Sequence, residues 1–151
     1  MPRLELKDFP PVGALIGIDP GTKTLGLALC DAGRLIASPH HTIKRKKLKA
    51  DLETLLAIYD ETRAVGFVVG LPLNMDGTEG PRAQSVRALA HNILQYRDVP
   101  VAFQDERLSS AEAERAMIEA DLSRARRAEL IDASAASVIL QTAIDRLANM
   151  G

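Results

Sequence analysis

An α/β fold, with a mixed β-sheet flanked by helices, is what this sequence predicts. Three observations lead there. Three strand-like runs, joined by short connections, occupy residues 14–38. Beyond residue 47, stretches of helical period alternate with short apolar runs. The length of 151 residues, 46% hydrophobic, suits one domain with one core.

Residues 1–12 end at two prolines and show no period, so they are expected to be a loose N-terminal segment ahead of a single domain over 13–151. Ala14 to Asp19 is apolar and β-branched and is stopped by Asp19-Pro20-Gly21, the pattern of a buried strand ending in a turn. Leu25 to Leu29 gives a second strand. Asp31-Ala32-Gly33 then supplies a hairpin turn into a third, at about Arg34–Ser38. Such close neighbours should pair antiparallel.

From about Lys47 to Thr62 the period becomes helical, with Leu48, Leu52, Leu55, Leu56 and Tyr59 in one stripe. Val65 to Val69 is a short buried strand, and residues 70–80 form a loop. A helix follows from Pro81, a residue suited to a first turn, to Tyr96. Val101 to Phe103 is the next strand. Ser109 or Ser110 can cap another helix, Asp121 to Arg127 is a charged break, and a last helix runs from about Ala128 to Ala148.

Composition narrows the function. The formal net charge of -1 argues against a uniformly basic nucleic-acid binder, but Lys44, Arg45, Lys46, Lys47 and Lys49 form a dense basic run, with a second at Arg124, Arg126 and Arg127. Either is a solvated face or a phosphate-contacting patch. Three Phe, two Tyr and no Trp speak against a base-stacking platform. The single Cys30 lies in an apolar run and has the pattern of a buried thiol, not a nucleophile. No run approaches the roughly 18 apolar residues of a membrane span, and the N-terminus lacks an apolar signal segment, so a cytoplasmic location is expected.

Three acids stand out by position. Asp19 ends the first strand, and Glu106, beside Asp105, follows the last one. Asp132 is followed at helical spacing by Ala135, Ala136 and Ile139, so its carboxylate projects from a small, apolar stripe that should face the protein. Acids are seldom buried without a partner or a metal. Clustered carboxylates with a pair of divalent ions are what phosphoryl transfer uses, and Mg2+ prefers such oxygen donors. His40-His41 has no companion ligands and is expected to be a loop pair, not a zinc site. Residues 17–24 resemble a P-loop superficially, but Thr22 stands where glycine must precede the lysine, and no GxGxxG follows a strand.

Four segments, GIDPGTKTLGLAL (17–29), VVGLPLNMDGTEG (68–80), DERLSSAEAE (105–114) and IDASAASVILQ (131–141), resemble in order the YqgF family, also called RuvX. Its members are RNase-H-like proteins described as pre-16S rRNA nucleases or Holliday junction resolvases. The resemblance covers nearly the whole chain from about Gly13. It implies a five-stranded sheet of order 3-2-1-4-5 and a catalytic metal site of Asp19, Glu106 and Asp132, served by Mg2+ or Mn2+. Asp105 and Lys23 are auxiliary candidates. Asn74, Asp76, Gly77 and Thr78 in the long loop, with Arg107 and the run Lys44, Arg45, Lys46 and Lys47, are candidates for substrate binding.

The junction resolvases carry a catalytic Glu at the end of the fourth strand, where this chain has Gly70. The expected partner is therefore nucleic acid, with pre-16S rRNA preferred and branched DNA as the alternative, bound by a monomer or homodimer without a membrane. The first segment also resembles the phosphate loop of actin-like and sugar-kinase ATPases, which clamp nucleotide between two such domains. A non-catalytic RNA-binding role in ribosome assembly is the remaining alternative.

Overall fold

The computed structural model describes residues 9–74, 76–105 and the backbone of 124–150, with the side chains of the last helix described from Ala135 to Ala148. The elements run β1 (Ala14–Pro20), β2 (Thr24–Cys30), β3 (Ala37–Lys44), α1 (Leu48–Glu61), β4 (Ala64–Leu71), α2 (Pro81–Tyr96), β5 (Val101–Asp105) and α3 (Arg124–Met150). The five strands form one sheet of order β3-β2-β1-β4-β5. β1, β2 and β3 pair antiparallel, as their short connections require, whereas β4 lies parallel to β1 and β5 parallel to β4. The sequence-expected order and pairing are both present.

Side-chain alternation along the strands splits the core into two layers. Ile16, Ile18, Leu25, Leu27, Phe67 and Val69 face α1 and α2, meeting Leu52, Leu55 and Tyr59 from one helix and Val86, Leu89 and Ile93 from the other. Leu15, Ala28, Cys30, Val68 and Ala102 face α3 through Ala136, Ile139, Leu140, Ala143 and Ile144. Phe9 joins this second layer and is buried, near Gly66 and Leu15.

Gly17 sets how close α3 comes. A Cβ there would lie 2.8 Å from Leu140 Cβ and 3.0 Å from the Ala136 carbonyl oxygen, so the strand and helix meet where one of them has no side chain.

Several boundaries differ from the sequence reading. The third strand starts at Ala37, not Arg34, and runs to Lys44. Asp31 accepts hydrogen bonds from the N–H groups of Gly33 and Leu35, and Arg34 takes a positive φ of 56°, so the turn consumes more chain than three residues. Leu35 and Ile36 consequently lie outside the strand, 75% and 68% exposed. His40 and His41 sit on this edge strand and not in a loop. The last helix begins at Arg124, which places Arg124, Arg126 and Arg127 on it and not in a break. The helix expected from Ser109 or Ser110 lies outside the described residues.

Candidate functional site

β1, β4 and β5 run parallel, so their C-terminal ends share one edge of the sheet, where open α/β sheets bind ligands. Asp19 is on this edge and half-buried. Its neighbours fix its direction. Ile18 packs toward α1 and α2 and Gly17 abuts α3, so the two-residue period turns Asp19 to the α3 face.

Ile18 pairs with Val69, which sets Gly70 beside Asp19, and Gly70 in turn pairs with Gln104. The fourth strand therefore offers no side chain at this level. On β5, Gln104 faces α3, because its Oε1 accepts a hydrogen bond of 2.7 Å from Arg146. Phe103 faces the other way, under the Arg87 guanidinium at 4.9 Å. Asp105 thus turns to the face opposite Asp19 and two strands away, about 10 Å at ordinary strand spacing. This geometry does not bring the auxiliary candidate Asp105 to Asp19.

The backbone of Asp132 lies on α3, one helical turn before Ala136, on the same face. Ala135, Ala136 and Ile139, the residues expected to face the protein, are all fully buried. The Gly17–Ala136 contact is thus two residues from Asp19 along the strand and one turn from Asp132 along the helix. Glu106 and Arg107, and the Asp132 side chain, lie outside the described residues. Among the described residues, no group of three His, Cys, Asp or Glu side chains gathers into a metal cage.

The basic run divides into parts with different tasks. Lys44 closes β3 opposite Thr24, and Lys23 is exposed in the β1–β2 turn. Arg45 folds back onto that turn. Its N–H donates to the Lys23 carbonyl at 2.8 Å, and its Nη1 donates to the Gly21 carbonyl at 2.7 Å. The Lys46 N–H donates at 2.9 Å to Asp51, whose buried carboxylate also lies 4.0 Å from Arg45 Nε. Lys47 is exposed and precedes α1. From the other side, Arg82 on the first turn of α2 donates at 2.6 Å to the Pro20 carbonyl. Two arginines distant in sequence therefore clamp the turn that follows Asp19.

Asp51 and Arg82 were not singled out by the sequence reading. The first could have been found as a first-turn helix acid just after a basic run. The second carries no local signal, because its target comes from 62 residues earlier.

The loop of Asn74, Asp76, Gly77 and Thr78 is closed on itself. Asp76 accepts from both the N–H and the hydroxyl of Thr78, and Asn74 Nδ2 donates to the Thr78 hydroxyl at 3.0 Å. The Asn74 N–H bonds the Thr78 carbonyl, and the Gly77 N–H bonds the Asn74 carbonyl. Gly77 adopts φ 88°, which a glycine tolerates. Among the described residues, the N–H groups of Asn74, Gly77 and Thr78 and the Thr78 hydroxyl thus donate within the loop.

Cys30 is buried, as expected of an apolar strand. Its sulfur accepts the Leu15 N–H at 3.3 Å, and burial pushes its thiol pKa up. Among the described residues, no helix is long and apolar enough to cross a membrane.

The pattern of the RuvX family, described as "Holliday junction resolvase", matches residues 13–146. The chain is 58% identical over 143 residues to a Rhodobacter capsulatus protein named "Putative pre-16S rRNA nuclease", covering 95% of this chain and 90% of that one. A Bradyrhizobium protein of the same name is 56% identical over 142 residues, covering 94% and 88%. Among solved structures, Thermus thermophilus RuvC in complex with a Holliday junction superimposes with a TM-score of 0.56 at 21% identity, over 91% of this chain and 96% of that one. A yeast mitochondrial Holliday junction resolvase gives a TM-score of 0.54 at 10% identity, over 96% and 83%. These last two likenesses establish a shared RNase-H-like fold.

Proposed function

The chain belongs to the RuvX family, and we propose that it is a cytoplasmic, divalent-metal-dependent nuclease that hydrolyses phosphodiester bonds at the 5′ end of pre-16S rRNA. The observation that carries this reading is the end of β1. There a strand-end carboxylate, Asp19, is followed by a turn held by Arg45 and Arg82, so a metal-binding oxygen and fixed positive charge share one edge.

The protein groups fit a hard cation. Asp19 supplies an oxygen donor on the α3 face, and the absence of a Cβ at Gly17 lets the helix bearing Asp132 approach that strand. Glu106, the residue after Asp105 in the sequence, is the third ligand in this reading. Asp19, Glu106 and Asp132 would hold Mg2+ or Mn2+, which would supply Lewis acidity for activating water and stabilising the leaving oxygen. The arginines hold the turn, and with it Asp19, in place. Lys23, Lys44 and Lys46 offer charge to the substrate backbone, Lys47 and Arg107 add to that charge, and the loop residues Asn74, Asp76, Gly77 and Thr78 are further substrate contacts in this reading.

RNA is favoured over a four-way DNA junction because β4 presents Gly70 at the level of Asp19, where the resolvases carry their acid. Scarce aromatics point to recognition of backbone and shape. The test compares cleavage of a structured pre-16S 5′ leader and a four-way DNA junction under matched metal and salt. Faster cutting of the leader supports the proposal. Symmetric paired nicking of the junction at the higher rate overturns the substrate while leaving the metal site intact.

A further inference from the structure

A cavity of about 430 Å³ opens beside the β1–β2 turn. Its wall includes Pro20 and Thr22 from the turn, Arg45 and Lys46 from the linker before α1, and Arg82 and Ser85 from α2. We propose that this cavity is a phosphate subsite, seating a phosphate of the bound nucleic acid other than the one being cleaved. The inference rests on the nuclease reading for the identity of its ligand.

Charge and geometry support it together. Three cations from two separate parts of the chain line the cavity, and no acid among the described residues does. Asp51, the nearest carboxylate by hydrogen bonding, is buried; it accepts from the Lys46 main chain, leaving the ammonium uncommitted to it, and lies 4.0 Å from Arg45 Nε, which engages one edge of that guanidinium. Each guanidinium donates one bond to a carbonyl of the turn, and a guanidinium has five N–H donors in a rigid fork. Both are therefore oriented in advance with donors to spare. The Thr22 and Ser85 side chains add hydroxyl donors, and Val86 and Leu89 give the cavity an apolar side that lowers the local dielectric. Convergent guanidinium, ammonium and hydroxyl donors suit a tetrahedral oxyanion with several acceptor oxygens.

Position supplies the ligand's source. Pro20 lines the cavity and is the residue after Asp19. The two alternate across the strand, Pro20 pairing with Leu25 of the α1–α2 layer while Asp19 faces α3. A strand crossing the tip of β1 would meet Asp19 on one side and the cavity on the other. The phosphate could be an internal diester or a terminal monoester, which the experiment separates.

The test measures binding of the full chain, in EDTA and over a range of salt, to one oligoribonucleotide made with a 5′-hydroxyl and with a 5′-phosphate. Lys46→Gln removes an ammonium, Ser85→Asp adds a charge on an exposed helix position, and Arg63→Gln removes a cation from the turn after α1 as a control. Lys46→Gln is expected to weaken binding about tenfold at low salt, the effect of losing one charged hydrogen bond, and to reduce the log–log salt slope by about 0.7. Ser85→Asp should weaken it at least as much, and Arg63→Gln should match wild type.

Equal losses on both oligonucleotides identify an internal phosphate, and loss confined to the 5′-phosphorylated one identifies a terminal phosphate. Wild-type affinity and slope for both Lys46→Gln and Ser85→Asp overturn the subsite. Metal-dependent cleavage by the wild type is scored separately. Cleavage with unaffected binding removes the subsite alone, and cavity-dependent binding without cleavage removes the nuclease reading alone.

Discussion

Gly17→Ala probes the helix–strand contact on which the proposed metal site depends. The added Cβ would stand 2.8 Å from Leu140 Cβ and 3.0 Å from the Ala136 carbonyl oxygen, against 3.4–4 Å for ordinary contact. The carbonyl belongs to helix backbone and cannot rotate away as a side-chain tip can. The helix must retreat by roughly 0.6–1.2 Å at this point, and overpacking of a close-packed interior costs about 1–3 kcal/mol. At about 2–4 °C per kcal/mol for a chain of this size, the melting temperature should fall by about 2–12 °C. The same retreat carries Asp132, one turn away, with it. A displacement near 1 Å in a catalytic constellation can cost on the order of 100-fold in rate. Cleavage of the pre-16S leader, measured well below the melting temperature, should therefore fall by much more than the folded fraction does. Gly66→Ala is the matched comparison. The atoms nearest its Cβ would be the side-chain ends of Leu15 and Phe9, at 3.2 Å, so it should lower stability modestly and leave cleavage near wild type. Wild-type melting and cleavage in Gly17→Ala would refute the reasoning.

Two further outcomes follow from the same physics. The Cys30 thiol, buried and with its pKa raised, should react with a thiol reagent many-fold more slowly in the folded protein than in denaturant, and equal rates would contradict the packing of β2 against α3. Arg97 and Arg87 hydrogen bonds hold the Asp60 and Glu79 carboxyls below the usual carboxylate range. Depressed folded-state pKa values mean stabilisation that is present above the unfolded values and lost as pH falls through the folded ones. The melting-temperature gap between wild type and an Asp60→Asn, Glu79→Gln double variant should thus be constant near neutrality and close below about pH 4; a gap that widens on acidification would contradict the pairing.

The strands that carry the site were legible because they are buried on both faces and bounded by turn residues. The runs ending at Asp19 and beginning after Lys23 show this in the sequence itself. β3 was misplaced because it is an exposed edge strand, held by backbone pairing to β2, so Leu35 and Ile36 misled where Ser38, Pro39, His41 and Thr42 carry the ladder. Asp132 was singled out by the small residues after it, and their burial on α3 agrees. The opposition of Asp105 to Asp19 needed the strand register, since adjacent acids look equivalent until alternation assigns each a face. The cationic cavity was not legible at all. Its parts come from residues 20–22, 45–46 and 82–89, and only the register of the β1–β2–β3 meander and the docking of α2 assemble them.

The central claim is that Asp19 anchors a metal-dependent cleavage site. It is tested most directly by Asp19→Asn, an isosteric change that removes the negative oxygen donor. Wild type and variant are compared for cleavage of a pre-16S 5′ leader in Mg2+ and in Mn2+, with melting temperature and leader affinity in EDTA as controls. The expected result is cleavage by the wild type in at least one metal, none by the variant, and closely similar melting and affinity. Equal cleavage by Asp19→Asn would contradict the account.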